Sequence, residues 1–136
     1  MVNLEALAAQ LVETALKQGA DAADALAVGG AQQSISVRGG ALEQAERSEG
    51  VDFGLRVLIA ARQACASSSD PRPEALRTVV ERAIAMAREA PEDPWCGLVD
   101  PDQRGQAFAG DLALCDPAPP PEPAALEDMA RAAEAA

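Results

Sequence analysis

The apolar residues of this chain change their spacing twice. Leu4, Leu7, Ala8, Leu11, Val12, Ala15 and Leu16 recur every three or four positions, the period of one face of a helix, and Leu76, Val79, Val80, Ala83, Ile84 and Ala87 repeat that pattern later in the chain. Between them the period falls to two: Leu26 and Val28, Ile35 and Val37, then Phe53, Leu55, Val57 and Ile59 alternate with small or polar residues. A chain that switches from helix to strand period and back cannot bury both patterns in an all-helical or all-strand core. The spacing predicts an α+β fold: an antiparallel meander of about four to five strands, two main helices packed on one face, and a polar opposite face. Ala124, Leu126, Met129, Ala130 and Ala133 add a C-terminal helix.

The punctuation between these runs fits that reading. Asn3 is placed to cap the first helix, Glu5 and Lys17 suit its positive and negative ends, and Gly19 stands beyond it. Pro73 suits the first turn of the second helix and Pro91 closes it, while Ser67, Ser68, Ser69 and Asp70 are expected to cap its start. Gly29-Gly30 and Gly39-Gly40 read as turns, and Ala60-Ala61-Arg62 as a reversal before a strand over Gln63 to Ser68. Residues 91–123 are rich in Pro, Gly and Asp, with a stiff extended piece at Pro119-Pro120-Pro121. Residues 1–118 are therefore expected to form one domain. Residues 119–136 are expected to be a Pro-rich linker and the start of a helix, uncapped at Ala136, that leads to an absent C-terminal domain.

Charge and composition exclude several function classes. A formal charge of −11, with two Phe, one Trp and no Tyr, offers neither the basic face that phosphates require nor the stacking platforms that read single strands. The same charge is repelled by anionic lipid, no run approaches a membrane span, and Glu5, Gln10 and Glu13 interrupt the only candidate leader. The expected compartment is the cytoplasm. Cys65, Cys96 and Cys115 are odd in number and widely spaced, so they read as reduced thiols rather than a disulfide framework or zinc knuckles.

Catalytic patterns are missing from the sequence as well. The chain contains no His, which removes every Ser-His and Cys-His pairing and the commonest metal ligand. Carboxylates at Glu43, Glu46, Glu49, Glu92, Asp93, Asp100, Asp102, Asp111 and Asp116 read as a solvated acidic surface. Asp100 and Asp102 are separated by Pro101 and have no bidentate Glu at the twelfth position of a calcium loop. Neither glycine pair precedes a helix start or a G-K-[ST] ending, so neither is a phosphate cradle.

Five stretches in order carry a resemblance that the residue types alone do not. They are S-I-S-V-R-G-G-A-L-E (34–43), S-E-G-V-D-F-G-L-R-V (48–57), A-S-S-S-D-P-R-P-E-A-L (66–76), A-P-E-D-P-W-C-G-L-V-D (90–100) and D-L-A-L-C-D-P (111–117). Together they resemble the N-terminal region of the TldD/PmbA peptidase family, also labelled modulators of DNA gyrase, and look most like its PmbA (TldE-like) branch. The resemblance marks Gly50, Gly54, Arg56, Ser67, Ser69, Asp70, Pro94, Gly97 and Asp100 as structural motif positions and assigns no substrate or partner contact. The resemblance implies a non-catalytic domain of a subunit that joins a TldD-type subunit in a metallopeptidase degrading or trimming small unfolded peptides. The family's H-E-x-x-x-H metal motif belongs to the TldD-type subunit and lies downstream of the matched region. No cofactor, catalytic or metal residue is therefore assigned to this chain, and the divalent metal is expected only in the partner. A homo-oligomer is an alternative assembly. The N-terminal domain of a catalytic TldD-type subunit and a free-standing acidic interaction module are alternative functions.

Overall fold

The computed structural model describes residues 2–105 and 116–136. The order is α1 (Leu4–Lys17), β1 (Ala22–Arg38), β2 (Ala41–Ile59), β3 (Arg62–Ser68), α2 (Pro73–Glu89), a short 3-10 turn (Pro101–Gln103) and α3 (Pro123–Glu134). The sheet order is β1-β2-β3, with β1 and β3 as its edges. The α+β class agrees with the sequence. The strand number does not, because three strands replace the expected four to five among the described residues.

The cause of that difference is Gly29-Gly30. Neither glycine has a positive φ, and β1 runs through both as extended backbone, so two short expected strands are one of 17 residues. A methyl at Gly29 would meet the Leu4 Cδ1 atom at 3.3 Å, so the glycine permits α1 to lie close over β1 rather than turning the chain. The other turns stand as read. Gly39 and Gly40, at φ 59° and 71°, form the two-residue reversal between β1 and β2. Ala60, at φ 52°, and Ala61 reverse β2 into β3.

The described chain divides into two units, Met1–Gly30 with Gly50–Arg104 and Ala31–Glu49 with Gly105–Ala136. The first holds an aliphatic core. Asn3 caps α1 by accepting from the Ala6 N–H at 2.9 Å, Gly19 follows it at φ 97°, and Leu7, Leu11 and Ala15 are buried. All six residues of the second helical pattern, Leu76 to Ala87, are buried on α2. They pack with Phe53, Leu55, Val57 and Ala66 from the sheet. Each fully buried aliphatic of this size contributes about 1.5–3 kcal/mol relative to exposure. Phe53 pairs with Ser68, Leu55 with Ala66, Val57 with Ala64 and Ile59 with Arg62 in an antiparallel register, which sends the odd residues of β2 toward the helices.

The facing of β1 reverses the expectation. Ala23, Ala25 and Ala27 pack against the core, whereas Leu26 and Val28 are 70% and 53% exposed on the opposite face. The core side of β1 is taken by small alanines and the outer side by Leu26 and Val28, and a shift of one residue in a strand moves every side chain to the other face. The outer face of the sheet is therefore partly apolar, not polar. The start of α2 also differs: Arg72 occupies its N-cap without a side-chain capping bond, and the preceding Ser and Asp residues build a turn instead.

The second unit contains the outer half of the β1–β2 hairpin, residues 31–49, the Pro119–Pro121 segment and α3. Arg38 and Glu43 pair across the hairpin at 2.9 Å. The expectations for Asp111 and Cys115 lie outside the described residues.

Candidate functional site

Strand parity gathers a candidate site on the outer face of the sheet in the first unit. Register places Arg56 opposite Cys65 and Gly54 opposite Ser67, all on the face that carries Leu26 and Val28. Arg56 forms a fork with Asp24 of β1, Nε to Oδ1 at 2.9 Å and Nη2 to Oδ2 at 2.5 Å. That hydrogen bonding to Asp24 holds the guanidinium above its ordinary pKa, and the two-point fork fixes the direction of the pair.

Two shallow depressions flank this pair. One, of about 410 Å³, has Asp24, Leu26, Gly54, Arg56, Cys65 and Ser67 among its lining residues. The other, of about 400 Å³, reaches from Leu26 and Val28 past Gly54 to Ser67, Ser68 and Ser69. Gly54 is common to both. A side chain there would find Ala66 O and Ser67 Cβ at 4.0 Å, an ordinary contact, so the fold does not require glycine. The missing side chain instead leaves the trough between the edge strands open. Its surface is mixed, with aliphatic walls from Leu26 and Val28 and hydroxyls from the serines.

Four of the motif positions, Gly54, Arg56, Ser67 and Ser69, thus meet on one face. The others do not join them. Gly50 lies exposed where β2 enters this unit, and Pro94, Gly97 and Asp100 are exposed in the segment after α2. Asp70 serves the turn before α2: its N–H donates to Ser68 Oγ at 3.1 Å, and its carboxylate accepts from the backbone N–H and guanidinium of Arg72. The Arg72 side chain, followed by its backbone N–H, lowers the Asp70 pKa to about 2. Because the folded value lies below the ordinary 3.8, the interaction is present above that range and is lost as pH falls through about 2. A carboxyl-carbon NMR titration should find this midpoint, and R72Q should move it back up toward the ordinary range; an unchanged midpoint would remove Arg72 as the cause.

Sequence reasoning missed two features of this unit. The first is the outward facing of Leu26 and Val28, which hydropathy alone assigns to the core. The second is Trp95, 91% exposed. Its backbone N–H donates to Asp93 Oδ1 at 2.9 Å, the Asp93 backbone N–H donates to the Ala61 carbonyl at 2.6 Å, and Glu92 pairs with Arg62 at 3.0 Å. The segment is therefore pinned to the β2–β3 turn while the indole stands in solvent. The signal was available in D-P-W-C, where an Asp and a Pro ahead of the Trp favour a surface turn.

Among the described residues no three Cys, Asp or Glu side chains gather into a cation site, and the chain has no His. The donor set therefore does not fit a catalytic divalent metal, which needs several such ligands on one ion. Among the described residues no helix is long and apolar enough to cross a membrane.

An α+β domain with helices on one sheet face and an open, mixed trough on the other is the class that these elements define. Residues 23–87 match the description PmbA/TldA metallopeptidase domain 1, and the chain belongs to the PmbA/TldD family. It is 36% identical over 104 residues to Metalloprotease PmbA of Escherichia coli O157:H7, covering 76% of this chain and 23% of that protein. Two solved structures share the fold. A Bacteroides thetaiotaomicron protein described as a modulator of DNA gyrase has a TM-score of 0.75 at 23% identity, over 83% of this chain and 25% of that one. TldE from Thermococcus kodakarensis has a TM-score of 0.59 at 22% identity, over 75% of this chain and 23% of that one. The chain thus spans about a quarter of the length of these relatives.

Proposed function

We propose that this chain is the N-terminal, non-catalytic domain of a PmbA/TldE-like subunit in a cytoplasmic TldD–PmbA metallopeptidase that degrades or trims small unfolded peptides. The observation that carries this reading is the 36% identity to Metalloprotease PmbA across three quarters of the chain. Residues 119–136 lead, on this reading, toward a further domain of the same subunit.

The chain's own residues have two parts in such an assembly. The Leu26–Val28 wall and the fixed Asp24–Arg56 pair form a contact surface against the rest of the assembly, where aliphatic area drives association and the ion pair sets orientation. The sheet helps to wall the peptide chamber, and strand edges hold an extended peptide through backbone hydrogen bonds with little sequence preference. On this reading the metal that polarises the scissile carbonyl is supplied by the TldD-type subunit. No residue of this chain is assigned to it. The charge of −11 gives direct DNA contact no support.

The test is reconstitution. Purified full-length protein, offered an unstructured polypeptide such as reduced casein and a divalent metal, should leave it intact alone and cleave it when a TldD-type subunit is added. Cleavage by the full-length protein alone would make it the catalytic subunit instead. No cleavage with the partner, despite a formed complex, would end the peptidase reading.

A further inference from the structure

The β1–β2 turn in the second unit holds a group that its sequence role as a reversal does not require. In a two-residue hairpin the flanking residues close the ladder, and the N–H groups of the two turn residues have no partner in the sheet. Here both are taken by one side chain. The Gly39 N–H donates to Glu134 Oε1 at 2.6 Å and the Gly40 N–H to Glu134 Oε2 at 2.7 Å.

Three features make this a receptor geometry. Each carboxylate oxygen has its own donor, so the pair recognises a planar two-oxygen group rather than a single acceptor, and hydrogen bonds to an ionised acceptor are the stronger kind. With both glycines in the left-handed region, at φ 59° and 71°, the two adjacent N–H groups reach the same carboxylate, as successive turn N–H groups do at backbone anion sites. Finally, Gly39 and Gly40 are exposed, and no heavy atom lies within 4 Å of a Cβ built on either, so the side-chain side of the turn is uncrowded. Glu134 arrives from the last turn of α3, and the Pro120, Pro121 and Leu126 side of the same segment borders a crevice of about 250 Å³ against Gln32 and Arg47 of the hairpin. The carboxylate is therefore presented by a helix already laid against the hairpin.

We propose that the Gly39-Gly40 turn is a carboxylate-binding site, that Glu134 is its tethered occupant, and that a carboxylate of a peptide competes with Glu134 for it. The C-terminal carboxylate of a peptide is planar and terminal, so it reaches the two donors without a clash along its own chain. The inference rests on this turn alone and not on the peptidase reading, so either can fail without the other. A tethered ligand is present at an effective concentration in the millimolar range, so removing its charge should make the site available at lower free-ligand concentration.

The experiment uses the full chain and its Glu134→Gln variant, a conservative change at an exposed position, with the amide protons of Gly39 and Gly40 read by NMR. In the wild type these protons should resonate downfield, and E134Q should move both upfield while the rest of the spectrum stays in place. Acetyl-trialanine with a free C-terminus, added to E134Q, should return both resonances downfield with saturation. The same peptide as its C-terminal amide should not, and the wild type should need about tenfold more of the free acid or higher. An amidated acetyl-Ala-Glu-Ala that matches the free acid would support the same site with a side-chain carboxylate as its source. Glycine resonances that ignore the E134Q change, an amide as effective as the acid, or no response of E134Q to either peptide would each overturn the proposal.

Discussion

Leu55→Ala should lower the unfolding free energy of this chain by about 2–5 kcal/mol, whereas Leu26→Ala should change it by no more than about 0.5 kcal/mol. Both are leucines in strands of one sheet, and their hydropathy is the same. Leu55 is 1% exposed and packs with Val57, Leu76, Val80 and their neighbours, so alanine leaves a cavity in a close-packed interior. Leu26 is 70% exposed on the outer face, and truncating it removes little buried area. A domain of this size has about 5–15 kcal/mol in all, so the first variant should shift the denaturant midpoint plainly and the second hardly at all. Equal losses would put Leu26 in the core and reverse the assignment of faces on β1.

That contrast also marks where the sequence was informative. Local chemistry was readable: the Asn3 cap, Gly19 after α1, Pro73 at the start of α2 and the Gly39-Gly40 reversal each depend on a few neighbouring residues, and each stands as expected. The six-residue face of α2 was readable because its period is set by large aliphatics with no competing pattern. Gly29-Gly30 was misread because a glycine pair in a sequence looks the same whether it turns the chain or admits a helix. Only the position of Leu4 above Gly29 distinguishes the two.

β1 failed for a related reason. Its two faces read A-A-A and D-L-V at alternating positions, and hydropathy favours the wrong one. The core admits the alanine side of the strand, and which side meets the core is a tertiary quantity. The capping expectation at α2 lost to the Arg72 side chain, which draws Asp70 into a turn instead. The resemblance singles out Gly54, Arg56, Ser67 and Ser69 only as motif positions, and their meeting on one face follows from a register that sequence does not print.

The outer face leads to the second large expectation: Leu26→Asp should leave the isolated chain as stable as the wild type and weaken association of the full-length protein with a TldD-type subunit. The argument is one of differential burial. In this chain the Leu26 side chain stands in water, so a carboxylate there is solvated and costs little. If the proposed contact covers the Leu26–Val28 wall, the aspartate loses its water with no cation free to meet it, because Arg56 already holds Asp24 through two hydrogen bonds. Loss of the buried leucine and burial of an unpaired polar group together should cost about 2–4 kcal/mol, roughly 30- to 700-fold in the assembly constant. Analytical ultracentrifugation of the two full-length subunits reads that change directly, and thermal unfolding of the isolated chain supplies the control. Unchanged assembly with L26D would mean that this face remains in water in the whole protein and would withdraw it from the proposed contact. Weakened assembly with an intact domain would tie the outward facing of Leu26 and Val28 on β1 to the subunit's place in the complex.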